Sequence, residues 1–312
     1  MLLMLSNLKD NLLDYTSFVS LIKRMVTDRM GQGYKVKLIK VIKNNSLELD
    51  SLVVLKNGEN IAPNIYLNSY YDSYIEGTPI TEIIDRLCLI YKNCSISVVK
   101  PDFEYTIELM RPYIFFRLVN FERNKQLLKK LPHVRYLDLA ITFHCLVRCD
   151  EDSINTIRIT NKHIERWGIS RDELMELAKE NTIRLFPPVI KTIKEVIPGL
   201  LYSGELDEIS EYGVKDEIIC PMYILTNQKG INGASCMVYK GIIQEFAQLI
   251  RSDLLILPSS IHEIILVPCN VAEDREHLRR MLIDINASQV PVEEVLSDNI
   301  YTFSLERNAI MM

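Results

Sequence analysis

The stretch Asp253–Pro268, DLLILPSSIHEIILVP, constrains the fold more than any other part of the chain. Two aliphatic runs, Leu254–Leu257 and Ile264–Val267, flank a polar break made of Pro258, Ser259, Ser260, His262 and Glu263. Runs this short, bounded by proline and rich in branched side chains, form strands rather than helices. Neither run alternates apolar with polar residues, so burial on both faces is expected. Pro258 and the two serines supply turn chemistry, and the unit reads as a hairpin at the centre of a sheet.

At 312 residues the chain is long enough for two domains, each with a buried core. With 48% hydrophobic and 25% charged residues, the composition is globular rather than disordered or coiled-coil. Its net charge of −5 is too mild to mark a nucleic-acid protein. The start, MLLMLSNLKD, is too short an apolar run for a secretory signal, and no run approaches membrane-helix length. The 7 cysteines are scattered without a repeating spacing, which favours reduced thiols in a cytoplasmic setting over a disulfide framework.

Residues 1–100 read as an N-terminal helix followed by a three-strand α+β domain. Leu8, Leu12, Tyr15, Val19, Ile22 and Val26 recur at helical spacing, predicting a helix over 7–29 that Gly31 and Gly33 end. Two strands joined at Asn44-Asn45-Ser46 follow, then a third over Ile61–Leu67. Thr78-Pro79 opens another helix, with proline where its missing N–H does no harm. Tyr66, Tyr70 and Tyr74 sit at a spacing that would share one helix face. They can be read as a stacking platform for bases or sugars, or as an amphipathic edge packed on the sheet; the packed edge is preferred.

Residues 101–312 read as a second α+β domain. Between Arg111 and Arg135 lie Arg111, Arg117, Arg123, Lys125, Lys129, Lys130 and Arg135 against the single acid Glu122. This run could meet phosphates, but it reads more simply as a strand over 113–121 and the solvated face of a helix over 122–130. RYLDLAITFHCLVRCD reads as one strand with Leu137, Leu139, Ile141, Phe143, Cys145 and Val147 on one face, leaving His144 on the other. Without further converging Cys/His pairs, no metal site is expected. Ile154–Ile159 should be its partner strand. A short helix follows from Thr160-Asn161 to Trp167-Gly168, and Ser170-x-x-Glu173 caps a longer one. Residues 198–217, rich in acids and glycine, read as a flexible surface connection.

In the last hundred residues, Met222–Leu225 and Ala234–Tyr239 read as strands of a hairpin turning at Asn232-Gly233. Gly230-x-x-Gly233 lacks the Lys-Ser/Thr ending of a phosphate cradle. Ile242–Ile250 and residues 272–287 read as helices, the second burying Leu278, Met281, Leu282 and Ile285, before a closing strand over 300–303. The fold class is therefore α+β, with mixed or antiparallel sheets and packed helices. No glycine fingerprint of a dinucleotide fold appears, and no cofactor is expected.

Chemistry, if present, would gather at Ser259, Ser260, His262 and Glu263. A serine nucleophile needs a base within hydrogen-bond reach and a third group to orient that base. The residue types are there, but neighbours on a strand face opposite ways, and no G-x-S-x-G elbow exists. Leu266 stands where a zincin would need its second histidine. A turn held by serine hydroxyls is the preferred reading, with a small hydrolase as the alternative.

Six phrases carry a resemblance: NGENIAPNIYLNSYYDSYIEG (57–77), LLKKLPHVRYLDLAITF (127–143), ITNKHIERWGIS (159–170), NTIRLFPP (181–188), ILPSSIHEIILVP (256–268) and VPVEEVLSDNIYTF (290–303). Together they resemble the bacterial family designated domain of unknown function 5688, across nearly the whole chain. The resemblance implies a full-length cytosolic bacterial protein of a gut-type anaerobe, and it carries no activity, cofactor or catalytic residue. The expectation is a non-enzymatic binding protein, with a protein partner preferred to a nucleic acid and no membrane. Its possible interaction surface is Tyr66, Tyr70, Tyr74, Arg111, Arg117, Arg123, Lys125, Lys129 and Lys130.

Overall fold

The computed structural model describes residues 12–58, 63–93, 106–149, 154–196, 221–272 and 274–312. The acidic connection expected over 198–217 lies outside them. Helices and antiparallel sheets pack together, so the protein is α+β. The chain divides into two compact units, with Asn44–Ser46 grouped with the residues from Tyr105 onward.

In the first unit, α1 (Tyr15–Met30) begins at Asp14, whose carboxylate accepts the Ser17 N–H at 2.8 Å. The helix thus starts later than its apolar spacing suggested, because a capping side chain decides where backbone N–H groups are first satisfied. Gly31 ends it at φ 74°, which L side chains adopt poorly. β1 (Tyr34–Ile42), β2 (Glu48–Lys56) and β3 (Ile65–Tyr66) form an antiparallel sheet. α2 (Asn68–Ile75) and α3 (Ile80–Asn93) complete the unit. Phe18, Ile22, Leu52, Leu67, Ile84 and Leu87 fill its core.

The second unit holds two sheets. In the four-stranded sheet, β4 (Ile114–Asn120), β5 (His133–Tyr136) and β7 (Ile154–Arg158) all pair antiparallel with the long β6 (Leu139–Cys149). The single strand expected through RYLDL is therefore two. The apolar alternation runs on through Leu137, but that residue sits at φ 55° in the turn between β5 and β6. The helix expected over 122–130 is one turn, Lys125–Leu128. α4 (Asn161–Trp167) ends in Gly168 at φ 65°, and α5 (Arg171–Leu185) starts in a capping box formed by Ser170 and Glu173.

β8 (Pro188–Thr192) and β9 (Tyr223–Asn227) lead into the six-stranded sheet. No hairpin forms at Asn232-Gly233. Only Asn232 has positive φ, and Gly233–Val238 wind into a 3-10 helix. A type I′ turn needs both central residues in that region. α6 (Ile242–Ile250) precedes β10 (Leu254–Leu257) and β11 (Ile264–Pro268), which pair antiparallel at the middle of the sheet order β13-β12-β10-β11-β9-β8. After α7 (Arg275–Ser288) come β12 (Tyr301–Ser304) and β13 (Ala309–Met311). On α7, Leu282 is buried but Ile285 is exposed, against expectation.

β10 is buried along its whole length because it serves two cores. Leu254 and Ile256 join the main core with Phe116, Phe143, Ala178, Phe246 and Tyr301. Leu255 and Leu257 point the other way, to Val267, Leu282 and Ile300. Each such aliphatic side chain contributes about 1.5–3 kcal/mol of burial free energy, which explains why the run carries no polar residue.

Candidate functional site

The polar corner between β10 and β11 is tied to segments distant in sequence. The Ser259 hydroxyl donates to Asn286 Oδ1 on α7 at 2.6 Å. Ser260 Oγ accepts the His262 backbone N–H at 3.0 Å. Leu296 and Ser297 donate their N–H groups to the carbonyls of Ser259 and Pro258, each at 2.9 Å. A bridge pairs Ser260 with Val295.

The His262 ring is occupied at both nitrogens. Nδ1 accepts the Asn232 N–H at 3.3 Å, and Nε2 lies 3.4 Å from Glu294 Oε1. This pattern places the proton on Nε2 and turns the ring toward backbone and carboxylate, not toward either serine. The His262 carbonyl accepts the Thr226 hydroxyl at 2.8 Å. Burial raises the Glu263 carboxyl above its ordinary pKa, opposed by His262 and the Ser260 hydroxyl. The carboxylate behind the imidazole is thus Glu294, which sequence reading did not consider. The four residues meet at this corner, where Ser259, Ser260 and His262 are hydrogen-bonded within the turn or to segments beside it.

A second polar network fixes the segment after it. Asp138, in the β5–β6 turn, accepts the Ser297 hydroxyl at 2.7 Å and the Asn299 side-chain amide at 2.9 Å, and also the Tyr301 hydroxyl. Asn286 donates to the Ser297 carbonyl and to Asp298, and Asn120 to the Leu296 carbonyl. Partners this far apart in sequence carry no local signal.

The tyrosines do not form a platform. Tyr66 lies on β3, not on the helix that carries Tyr70 and Tyr74, so the three share no helix face. Lys43 stands 4.2 Å above the Tyr66 ring. Tyr70 and Tyr74 pack against the core of the first unit, and Tyr74 stacks 5.3 Å from Phe18.

The basic run also disperses. Arg111 is exposed, Arg123 pairs with Asp298 at 2.7 Å, and Lys125 pairs with Glu122. Lys129 donates to Gln126 at 2.9 Å, and Lys130 is exposed. Arg117 differs from the rest, because its side chain lies largely inside. Its Nη2 donates to the Thr156 hydroxyl at 3.2 Å, while its buried Nε has no partner.

Arg117 belongs to a face of the four-stranded sheet that sequence reading missed. Directly paired residues share a face, and the registers Phe115↔His144, His144↔Arg158 and Arg117↔Thr142 bring these residues together. His144 is 6% exposed, with Nε2 3.2 Å from the Thr142 hydroxyl. Burial first, and then the charges of Arg117 and Arg158, hold its imidazole well below its ordinary pKa. Burial, then Arg158, brings Arg117 down to about 10. The alternation that set His144 opposite Cys145 was visible in the sequence, but the strand pairing that adds two arginines was not.

One further surface has a definite shape. A cleft along β8 and α6 is lined by Ile190, Tyr223, Ile242, Phe246 and Leu249, with Lys191, Glu195 and Glu245 at its rim. Leu249 is 77% exposed.

The sequence matches the family described as "Family of unknown function (DUF5688)" over residues 15–305. The chain belongs to this family. Searches of curated proteins and of solved structures gave no match. Within this DUF5688 chain, no group of three or more His, Cys, Asp or Glu among the described residues is placed to hold a metal ion. Nor is any helix among them long and apolar enough to cross a membrane. Cys88, Cys145, Cys236 and Cys269 are free thiols.

Proposed function

We propose that this DUF5688 chain is a cytoplasmic bacterial protein that works by binding another protein, without covalent catalysis. The observation that carries the reading is the use of the Ser259–Glu263 polar atoms as turn fastenings, with both His262 ring nitrogens engaged away from the serines. Free thiols at Cys88, Cys145, Cys236 and Cys269 suit a reducing compartment.

The β8–α6 cleft is the surface best suited to a partner. Among the described residues β8 ends its sheet, yet its edge is blunted: Pro188 has no N–H, and the Thr192 N–H is taken by Glu195 at 2.7 Å. The partner is therefore held by side chains in the cleft, not by strand addition. Two carboxylates against one lysine at the rim favour an apolar segment flanked by basic residues. Nucleic-acid contact has less support, because Arg117 turns inward while Arg123 and Lys125 are spent on acids.

A photo-crosslinking residue placed at Leu249 of the full chain in its own cell tests this, with exposed Leu109 as control. A discrete protein adduct from position 249, lost on Ile190→Asp, is expected. No adduct, or the same adducts from both positions, overturns the cleft as the docking surface. A hydrolytic activity that vanishes in Ser260→Ala would replace the binding reading with the hydrolase one.

A further inference from the structure

Several sheet edges in this protein are closed. Pro188 and Glu195 blunt β8, and the hydroxyls of Thr182 and Ser235 accept the outward N–H groups of Phe116 and Leu118 on β4 at 3.1 and 3.3 Å. β13 is only 3 residues long. β1 is different. It runs for 9 residues, YKVKLIKVI, contains no proline, and pairs with β2 in an unbroken register from Tyr34↔Lys56 to Ile42↔Glu48. β2 holds one side of it, and among the described residues no strand pairs with the other.

Hydrogen bonds just beyond the two ends of β1 fix which groups face that open side. The Lys43 N–H donates to the Leu47 carbonyl at 2.8 Å, and the Asn57 N–H to the Gly33 carbonyl at 2.9 Å. In an antiparallel ladder, opposed residues exchange hydrogen bonds at every second position. The odd-numbered residues of β1 therefore bond to β2, and Val36, Leu38, Lys40 and Ile42 turn N–H and C=O outward. These groups have no partner among the described residues. An unpaired row of this kind is a template for another strand.

The side chains decide which strand fits. Tyr34, Val36 and Leu38 pack inward on the core of the first unit, while Lys35, Lys37 and Ile39 face solvent, Ile39 at 41% exposure. Lys35 and Lys37 have no acidic partner among the described residues. Lys40 meets Glu48 only at 3.6 Å, with both side chains exposed. Lysines on an edge discourage a second copy, whose own lysines would be brought alongside, and the same charge selects an acidic strand.

We propose that the open edge of β1 is a docking site for an extended acidic segment of a partner protein. The segment adds to the three-stranded sheet through the N–H and C=O groups of Val36, Leu38, Lys40 and Ile42, with carboxylates set against Lys35 and Lys37. This edge belongs to the first unit and the β8–α6 cleft to the second, so the two readings stand or fall independently.

The test adds a blocked peptide of alternating glutamate and valine, as long as β1, to the full chain, and reads binding by fluorescence anisotropy and by residue-resolved amide hydrogen exchange. The amides of Val36, Leu38, Lys40 and Ile42 should pass from fast exchange to protected, whereas those of Lys37, Ile39 and Val41 are already protected by β2 in the free chain. The glutamate–valine peptide should bind about tenfold more tightly than a lysine–valine one, and Lys35→Glu combined with Lys37→Glu should reverse that order. Peptides N-methylated at alternate residues separate strand addition from charge attraction alone: of the two possible sets, one should lose binding and the other keep it. Lys40→Pro removes one outward N–H without touching the β2 ladder and should weaken binding about fivefold. The peptide variants carry the test if that chain does not fold. No binding of the glutamate–valine peptide, equal affinity for the two charged peptides, equal binding by both N-methylated sets, or displacement by an RNA oligonucleotide overturns the proposal. So does a dimer of the chain in which the same amides are already protected, since a second copy would then hold the edge.

Discussion

Two polar clusters in the second unit invite comparison, since both place a histidine beside hydroxyls and charge. At the β10–β11 corner, the Ser259 hydroxyl and both His262 nitrogens have partners, as do the carbonyls of Pro258 and Ser259. On the Phe115–His144 face of the four-stranded sheet, the buried Nε of Arg117 has no partner among the described residues, and Arg158 acts on it with like charge. The first cluster resembles an active site in residue types and is a fastening. The second contains no recognisable motif, and its Arg117 Nε is left without a hydrogen bond among the described residues. Completeness of hydrogen bonding, more than residue identity, separates the two clusters.

The most severe way to break the comparison is at Gly233. A Cβ there would stand 2.1 Å from Thr226 Oγ1 and 2.5 Å from the His262 carbonyl oxygen. Gly233→Ala should cost about 3 kcal/mol or more in urea unfolding, at the upper end for overpacking. If it is tolerated, the corner is not the rigid fastening described.

Asp138→Ala should come next. It strips the Ser297, Asn299 and Tyr301 side chains of their shared acceptor, and a loss of about 2–3 kcal/mol is expected. A loss below about 1 kcal/mol, the ordinary net worth of a single hydrogen bond, would mean that these side chains find other partners.

A smaller effect, to which His144 on the four-stranded sheet contributes, is pH dependence. The folded pKa of His144 lies well below its ordinary value of 6.5, through burial and then Arg117 and Arg158. Between the folded and unfolded values the unfolded chain holds more protons, so stability is full above about 6.5 and falls as pH drops below it. His163 is lowered too and acts in the same direction. His144→Gln should flatten the slope measured from pH 7 to 5.5, and an unchanged slope would remove His144 from this account. Least affected should be Leu249→Glu, which is expected to shift stability by no more than about 0.5 kcal/mol because the side chain is exposed.

What could be read from the sequence follows from how local each cause is. β10 and β11 were legible because unbroken aliphatic runs have few other destinations, and the Ser170–Glu173 cap because it is spelled within four residues. Asn232-Gly233 misled because the dipeptide is a turn signal wherever it occurs, while Thr226 and the His262 carbonyl, remote in sequence, leave Gly233 no room for a side chain. The β5–β6 turn was hidden because Leu137 continues the apolar alternation through a left-handed residue. His262–Glu294 and Arg117–Thr156 lie beyond any window, since strand register and loop return bring them together.

Because successive side chains of β10 belong to opposite layers, the strand acts as a shared wall between the main core and the smaller cluster around Leu282. A wall common to two rooms cannot be moved to suit one. Disturbance reaching it from α7 is passed to the packing around Phe143 and Tyr301, so the two layers of this unit are bound to melt together.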